Sequence, residues 1–484
     1  MSEKSPLIQI KMEFQHEGFG GMRLTYDDMS RRMTDLFTPP VYEMRFVGRQ
    51  DITFTAENKQ DPNGPFRIHV VGNNVQYINA REIKLKMNIT ILKKDGSPLT
   101  KKDEVSVVNN LASSMFETIT VDLNNKPMSE LADDEYGLKR YVEGIFGYSL
   151  NSSTSVCVPK MLYAEEEDWE NNANWIHHKS TADNNLITLQ LQQQLNIFNR
   201  MAVISNLEYR TIELVTALNV DCLNSMMMLP PNMSLTIHLK PKRPEFLFIT
   251  KMPQTAAFGH QVEVRNEYKF KFNELCVSVP FLTLNPELRL AHERFFASGR
   301  KTQGVYQKMQ VLRKQFPDGL SELSFDSFVI GNIPKQVGLF MIDTGSWDGQ
   351  WGTNPFRFDH NDARECFLLV NNQMVPNEPI RMNFKRKEYS WAYDFYLNAL
   401  GMRDADIGIL NNMLRWASGG TTWVINTTPC GCNGYHLHHS ERGTADVKIR
   451  LGTPLPKPTT LFAICVYDKM MLIDQNRDIE IATL

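Results

Sequence analysis

Side chains that change character at every second position constrain this chain more than any other feature. In REIKLKMNITILKKDG, Ile83, Leu85, Met87, Ile89 and Ile91 alternate with Lys84, Lys86, Asn88 and Thr90. Successive side chains of an extended backbone point to opposite faces, so the pattern predicts a strand with one face in a core and one in water. Asp95-Gly96 follows and predicts a turn, because glycine tolerates positive φ. FETITVDLNNK repeats the alternation at Ile119, Val121 and Leu123 and ends on Asn124-Asn125, a second turn signal. Further strands are expected at NMSLTIHLK, YKFKFNELCVSV, ECFLLVNN, ADVKIRL and TTLFAICVYDKMMLI. Many strands punctuated by Pro, Gly and Asn predict an all-β chain of sandwiches or barrels.

Helices are few. EYGLKRYVEGIFGY carries Leu138, Tyr141, Val142, Ile145 and Phe146 along one helical stripe. NPELRLAHERFF offers Asn285 as an N-cap before Pro286. YDFYLNALGMRDADIGILNNMLRW mixes short helix with loop. All three are expected as insertions between strands.

One internal echo bears on domain organisation. NMSLTIHLKPKRPEFLFIT (232–250) and TADVKIRLGTPLPKPTTLFAICVYD (444–468) share a scheme. Each has an alternating strand with an Ile-x-Leu core (Ile237 and Leu239, Ile449 and Leu451), a Pro/Lys turn, then an apolar strand. Their spacing predicts one β domain repeated once. The expected division is an arm over 1–39, a first domain over 40–252, a linker over 253–264 and a second domain over 265–484.

Charge excludes one class of function. The 484 residues carry a formal net charge of −3, whereas a protein that wraps nucleic acid needs a Lys/Arg excess. LFAICVY (461–467) is the longest tempting apolar run and stops at Asp468 and Lys469, so no membrane span is expected. MSEKSPLIQIKMEF has no apolar signal core, so secretion is not expected, nor glycosylation at Asn88, Asn151, Asn232 or Asn426. Cys157, Cys222, Cys276 and Cys366 stand far apart among seven cysteines, which reads as buried thiols in a reducing compartment.

Candidate chemistry concentrates in CGCNGYHLHHSE (430–441). Cys430 and Cys432 with His436 and His438 form a possible zinc set, although Cys-x-Cys spacing is unusual and no second knuckle accompanies it. Alternatively, His436 and His438 on one strand face with Glu441 would suit a cupin-type jelly-roll metalloenzyme, but the gap to Glu441 is short for that pattern. A polar Gly/Asn loop with solvated histidines is the reading carried forward, with no metal, cofactor or catalytic residue assigned. His177-His178 and the acidic run EEEDWE (165–170) read as polar loops, and the Met-rich SMMML (225–229) as core or interface filler. HEGFGGMR (16–23) lacks the Lys-Ser/Thr of a phosphate loop, and no G-x-S-x-G elbow occurs. Short basic clusters at Lys240, Lys242 and Arg243 and at Lys385, Arg386 and Lys387, the latter followed by Trp391 and Tyr393, allow weak DNA contact; solvated strand ends are the simpler reading.

Across residues 33–480, the order and spacing of these segments resemble a known family. DLFTPP (35–40) is similar to an N-terminal arm running into the first strand, and VQYINAREIKLKMNITILKKDGSPL, VVNNLASSMFETITVDLNNK, YGLKRYVEGIFGYS and LPPNMSLTIHLKPKRPEFLFI are similar to successive parts of a first jelly roll. YKFKFNELCVSVPFLTLNPELRLAHERFF, IPKQVGLFMIDTGSWDGQWGTNPFRFDHNDARECFLLVNNQMVP and LFAICVYDKMMLIDQNRDI are similar to the opening, middle and end of a second. The chain looks like the major capsid proteins of Polinton (Maverick) elements and adintoviruses, within the double-jelly-roll viral lineage. The divergent stretch around 150–180 and the Cys/His loop depart from it.

The resemblance implies two consecutive eight-stranded jelly rolls with short helical insertions. It also implies a structural role without catalysis: homotrimeric pseudo-hexagonal capsomers building an icosahedral virion capsid around double-stranded DNA. Expected partners are further copies of the chain, a penton protein at the vertices and, weakly, packaged DNA. The 1–39 arm, with Lys4, Lys11, Arg23, Arg31 and Arg32, is expected to order on assembly.

Overall fold

The alternating segments pair into four antiparallel sheets of four or five strands, and the pairing order defines the fold. The computed structural model describes residues 44–57, 64–99, 105–128, 135–164, 211–225, 228–250, 267–349, 353–403, 408–429, 437 and 441–483. The first half runs through β1 (Phe46–Thr55), β2 (Phe66–Val70), β3 (Tyr77–Ile78), β4 (Lys84–Lys93), β5 (Val105–Val107) and β6 (Phe116–Leu123). It continues through β7 (Lys126–Pro127), β8 (Thr211–Ala217), β9 (Leu235–Pro241), β10 (Phe248–Thr250) and β11 (Tyr268–Leu284). One sheet has the order β1-β11-β4-β8 and the other β2-β9-β6-β7, while β5 and β10 form a separate ribbon and β3 pairs onto β11. Counting only the strands of the two four-strand paths, the orders are first–eighth–third–sixth and second–seventh–fourth–fifth. That is a jelly roll, roll 1.

The second half repeats it. Its strands are β12 (Thr302–Phe316), β13 (Glu322–Asn332), β14 (Gln336–Asp343), β15 (Ala363–Val370), β16 (Gln373–Arg381), β17 (Trp423–Asn426), β18 (Arg442–Leu451) and β19 (Thr459–Ile473). The sheets run β12-β19-β14-β17 and β13-β18-β15-β16, the same two orders, with β20 (Ile479–Thr483) added beside β19. The expected all-β double jelly roll is therefore the fold, and this is roll 2.

One expected boundary needs correcting. The strand beginning at Tyr268 was placed at the opening of the second domain, after 265. It is hydrogen-bonded instead between β4 and β1, Phe270 opposite Ile91 and Val279 opposite Ile52, and so closes roll 1. The cause lies in the echo. β9 and β18 do correspond, each as seventh strand of its roll, but the apolar FIT at 248–250 is only the short β10, paired with β5. The true counterpart of β19 comes later in the sequence, beyond the proposed linker, which lies outside the described residues.

Two turns repeat at atomic detail. Asn124 and Asn125 have φ of 48° and 63°, and Asn371 and Asn372 have 50° and 64°, the left-handed pair that a two-residue hairpin of matching twist requires. Asn124 N–H donates to the Ser234 carbonyl at 3.0 Å, and its Oδ1 accepts from Ser234 N–H at 2.8 Å. Asn371 makes the same two bonds to Thr444, at 2.9 and 3.0 Å. Each turn between fourth and fifth strands is thus tied to the seventh strand. A Cβ at Gly443 in roll 2 would lie 1.8 Å from Asn371 Oδ1, so a larger residue there must displace that side chain.

Burial explains two different strand patterns. In β4, Leu85, Met87, Ile89 and Ile91 are buried and the residues between are not, as the alternation predicts. In β19, Thr459 through Val466 are all buried. Leu461, Ala463 and Cys465 join the roll 2 core, while Phe462 and Ile464 join a second cluster shared with roll 1. A strand covered on both faces reads as a continuous apolar run.

Helices α1 (Tyr136–Gly147), α2 (Pro286–Ala297), α3 (Ser390–Ala399) and α4 (Met413–Ser418) are insertions or connections. Asn285 caps α2, its side chain accepting from Glu287 N–H at 3.1 Å. Among the described residues no helix is long and apolar enough to cross a membrane.

Candidate functional site

The residues singled out for metal chemistry, Cys430, Cys432, His436 and His438, lie outside the described residues, as do His177, His178 and the 165–170 acidic run. Glu441 is described. Its side chain accepts from Asn371 Nδ2 at 2.9 Å and its carbonyl accepts from Ile333 N–H at 2.8 Å, so it supports the roll 2 turn. Among the described residues no group of three or more His, Cys, Asp or Glu could hold a metal ion. Cys157, Cys222 and Cys366 are buried free thiols, as is Cys465, and Cys276 is buried too. Burial pushes the Cys222 and Cys465 thiols up to about 12, so neither is a nucleophile at neutral pH.

Three of the six residues in the basic clusters are paired with acids. Lys240 pairs with Glu117 at 2.9 Å, Lys242 with Glu135 at 2.8 Å, and Lys385 with Asp362 at 3.0 Å. Burial works against the charge on Asp362, but Lys385 and Arg364 outweigh it and hold the carboxyl below its usual range. Tyr393 is tied down through its hydroxyl, which donates to the Asn411 carbonyl at 3.1 Å, whereas Trp391 is 71% exposed.

What the fold does bring together is a seam between the two rolls. Helix α1, inserted after the fifth strand of roll 1, was expected to bury one apolar stripe; it also buries Lys139 and Arg140. The second roll supplies the extra cover. The Tyr141 ring stacks on Phe356 with centroids 4.4 Å apart, and Phe356 and Phe246 meet edge-on at 5.8 Å. Phe246 also meets Trp347 at 5.3 Å, and Phe340 stacks on Phe358 at 4.3 Å. Farther along α1, Phe146 packs against Tyr396 of α3 at 5.6 Å, and Leu410 N–H donates to the Tyr148 carbonyl at 2.8 Å. The insertions that follow the fifth strand of each roll therefore touch.

Polar bonds edge this aromatic block. Arg140 lies buried between Glu143 at 2.5 Å and Asp221 at 3.0 Å. The other oxygen of Asp221 accepts from Met309 N–H of β12 at 2.8 Å, so one carboxylate joins a roll 1 cation to a roll 2 strand. Burial pushes the Glu143 carboxyl up despite Arg140. Glu135 holds Lys242 of roll 1 and Arg313 of roll 2, the latter at 3.3 Å. At the far end, the turn between β19 and β20 reaches back to roll 1. Asn124 Nδ2 donates to the Arg477 carbonyl at 3.1 Å, Arg477 Nε donates to the Pro231 carbonyl at 2.9 Å, and Lys126 donates to the Ile479 carbonyl.

Sequence reasoning missed Arg140, Asp221 and Phe356, and the available signals were slight. Arg140 falls off the apolar stripe and Phe356 sits in a loop; only the aromatic density of NPFRF (354–358) hints at burial.

No family model matches the chain. An uncharacterized protein of Caenorhabditis elegans is 19% identical over 354 residues, covering 71% of this chain and 75% of that protein. Among solved structures, a chain from the cryo-EM structure of the Sputnik virophage aligns with a TM-score of 0.60 at 13% identity, over 92% of this chain and 90% of that one. The faustovirus major capsid protein aligns with a TM-score of 0.50 at 7% identity, over 92% and 94%. The chain shares the double-jelly-roll fold of these viral proteins across nearly its whole length.

Proposed function

We propose that this protein is a viral-type major capsid protein of the Polinton or adintovirus kind. Its copies assemble as trimeric pseudo-hexagonal capsomers that tile an icosahedral shell around double-stranded DNA. The observation that carries the reading is the fusion of two rolls of identical strand order into one block, without a chemical site among the described residues. A jelly roll protects its strand edges by closing two sheets on each other, which lets loops be elaborated for contact without disturbing the core. Two such rolls in one chain offer six similar positions from three copies. The capsid similarity in fold supports this reading, as does a near-neutral chain in which Lys240, Lys242 and Lys385 of the basic clusters are paired with acids.

In this reading the location is the virion capsid, the vertices take a separate penton protein, and DNA contact is weak and non-specific. The 1–39 arm orders on assembly beneath the shell; it lies outside the described residues. Light scattering across a concentration series, followed by negative-stain imaging of the concentrated protein, tests the proposal. A trimer that goes on to hexagonal or shell-like particles is expected, and a species that stays solitary at high concentration would refute it.

A further inference from the structure

Helix α1 has two working faces. Leu138, Tyr141, Val142 and Ile145 enter the core shared with roll 2. Arg140, Glu143, Gly144 and Gly147, spaced i, i+3, i+4 and i+7, form a second stripe. That stripe walls a cavity of about 240 Å³, room for about eight waters at ~30 Å³ each. The facing wall comes from Asn110 and Ser113, where a left-handed residue opens the helical turn Leu111–Ser114, and from Thr216 and Asn219 at the end of β8. Two glycines set the helical side. A Cβ at Gly144 would lie 2.8 Å from Leu162 Cδ2, whereas one at Gly147 would meet nothing within 4 Å. Glycine weakens a helix relative to alanine, and at Gly147 no neighbouring atom demands it. What the missing side chain leaves is an open mouth.

Polar groups deep in this wall lack partners. Asn110 is 2% exposed, and its Oδ1 has no hydrogen-bond partner. Arg140, 6% exposed, spends its two terminal nitrogens on Glu143 and Asp221 and leaves Nε without one. A buried donor or acceptor left unmet is costly, so beside a cavity it is met by water or by a ligand. A hydroxyl suits both, since it donates to a carboxamide oxygen and accepts from a guanidinium N–H. The mouth differs. Gly147 is exposed, and Tyr148 and Lys160 are half-buried. Lys160 donates to the Tyr148 hydroxyl and lies 4.3 Å from the ring centroid. Among the described residues no carboxylate stands within ion-pair distance of Lys160. Glu143, the acid in the wall, is committed to Arg140 at 2.5 Å, and burial pushes its carboxyl up.

We propose that this cavity binds a small polyhydroxylated acid, its hydroxyl groups inward on Asn110 and Arg140 and its one anionic group at the mouth on Lys160. A sugar acid and a sugar phosphate share that chemistry. A neutral sugar would leave Lys160 unanswered, and a bare anion would leave the Asn110 oxygen unmet. The site holds a ligand rather than transforming one. All its lining residues belong to roll 1, so it does not depend on the capsomer reading.

Titration calorimetry of the full-length protein with four probes tests the site. Gluconate and ribose 5-phosphate carry hydroxyls and an anionic group; ribose carries hydroxyls alone, and inorganic phosphate carries charge alone. At least one of the first two is expected to bind tenfold or more tighter than either of the others, and which one identifies the acid group. Gly147→Leu, which puts a side chain in the mouth, and Lys160→Met are each expected to weaken that binding tenfold or more, with urea midpoints unchanged when no probe is present. Lys160→Arg is expected to restore it. Absence of binding by both bifunctional probes at about 10 mM, equal binding by ribose or phosphate, or undiminished binding in Gly147→Leu would overturn the proposal and leave the cavity to water. Should a variant misfold, reductive methylation of the wild type decides, read peptide by peptide. The bound probe is expected to slow modification of Lys160 tenfold or more while other lysines react as before; an unchanged rate at Lys160 refutes the site.

Discussion

Replacing Phe356 by Ala should loosen both rolls, although the residue belongs to a loop of only one. The side chain is 2% exposed, stacked on Tyr141 of roll 1 at 4.4 Å and in edge contact with Phe246 at 5.8 Å. Truncating a buried phenylalanine costs about 3–5 kcal/mol, of which the Tyr141 stack accounts for about 0.5–1.5 kcal/mol. That loss corresponds to roughly a hundredfold to several-thousandfold rise in the open population. Native-state hydrogen exchange reads it strand by strand. If the seam makes one cooperative body, amides of β6 in roll 1 and of β15 in roll 2 lose protection by the same free energy. A double-mutant cycle with Tyr141→Ala should then return a coupling within the stacking range. Loss confined to β15, with β6 at wild-type protection, would refute the idea that the seam is a shared core. A coupling near zero would refute the stack as its fastener.

Three further outcomes are expected. Gly443→Ala should drive Asn371 out of its clamp and destabilise roll 2 by about 1–3 kcal/mol, and Asn371→Gly, which removes the clashing side chain, should make the alanine nearly neutral; urea titration of the single and double variants checks this. Asp362 has a folded-state pKa below its unfolded value, so its contribution is present above the unfolded carboxylate range and is lost as pH falls through the folded value; Asp362→Asn should lower stability at pH 7 and flatten the acid limb below about pH 4, and an unchanged limb in the urea midpoint would contradict the pairing with Lys385. Elemental analysis of purified protein should find no stoichiometric zinc, iron or manganese, and metal that vanishes in His436→Ala/His438→Ala would favour a cupin-type site instead.

The strands were legible because alternation is a local consequence of backbone geometry, and β4, β6, β9 and β18 lie where their patterns put them. The Asn124-Asn125 turn was legible for the same reason: left-handed φ is a property of the residue pair. The boundary between the rolls was not. β10 and β11 are both apolar strands after β9, and only the hydrogen bonds of β11 to β1 and β4, separated from it by some 180 to 230 residues, distinguish the closing strand from a side ribbon. The seam was hidden too, since Arg140 and Asp221 are ordinary surface residues by type and become site residues only where roll 2 covers them.

The broad outer sheet faces of the two rolls differ in chemistry, and the difference follows from what covers each. The sheet of roll 2 that faces roll 1 presents Phe340, Ile342, Phe462 and Ile464, all fully or nearly fully buried, as in a core cut in two. The corresponding face of roll 1 carries Lys84, Lys86 and Asn88 on β4, Glu213 on β8, and Lys271 and Asn273 on β11. An interface made within one chain forms during folding and never meets water, so it can be aromatic. The roll 1 face keeps Lys84, Glu213 and Lys271 exposed, as a sheet face in water does.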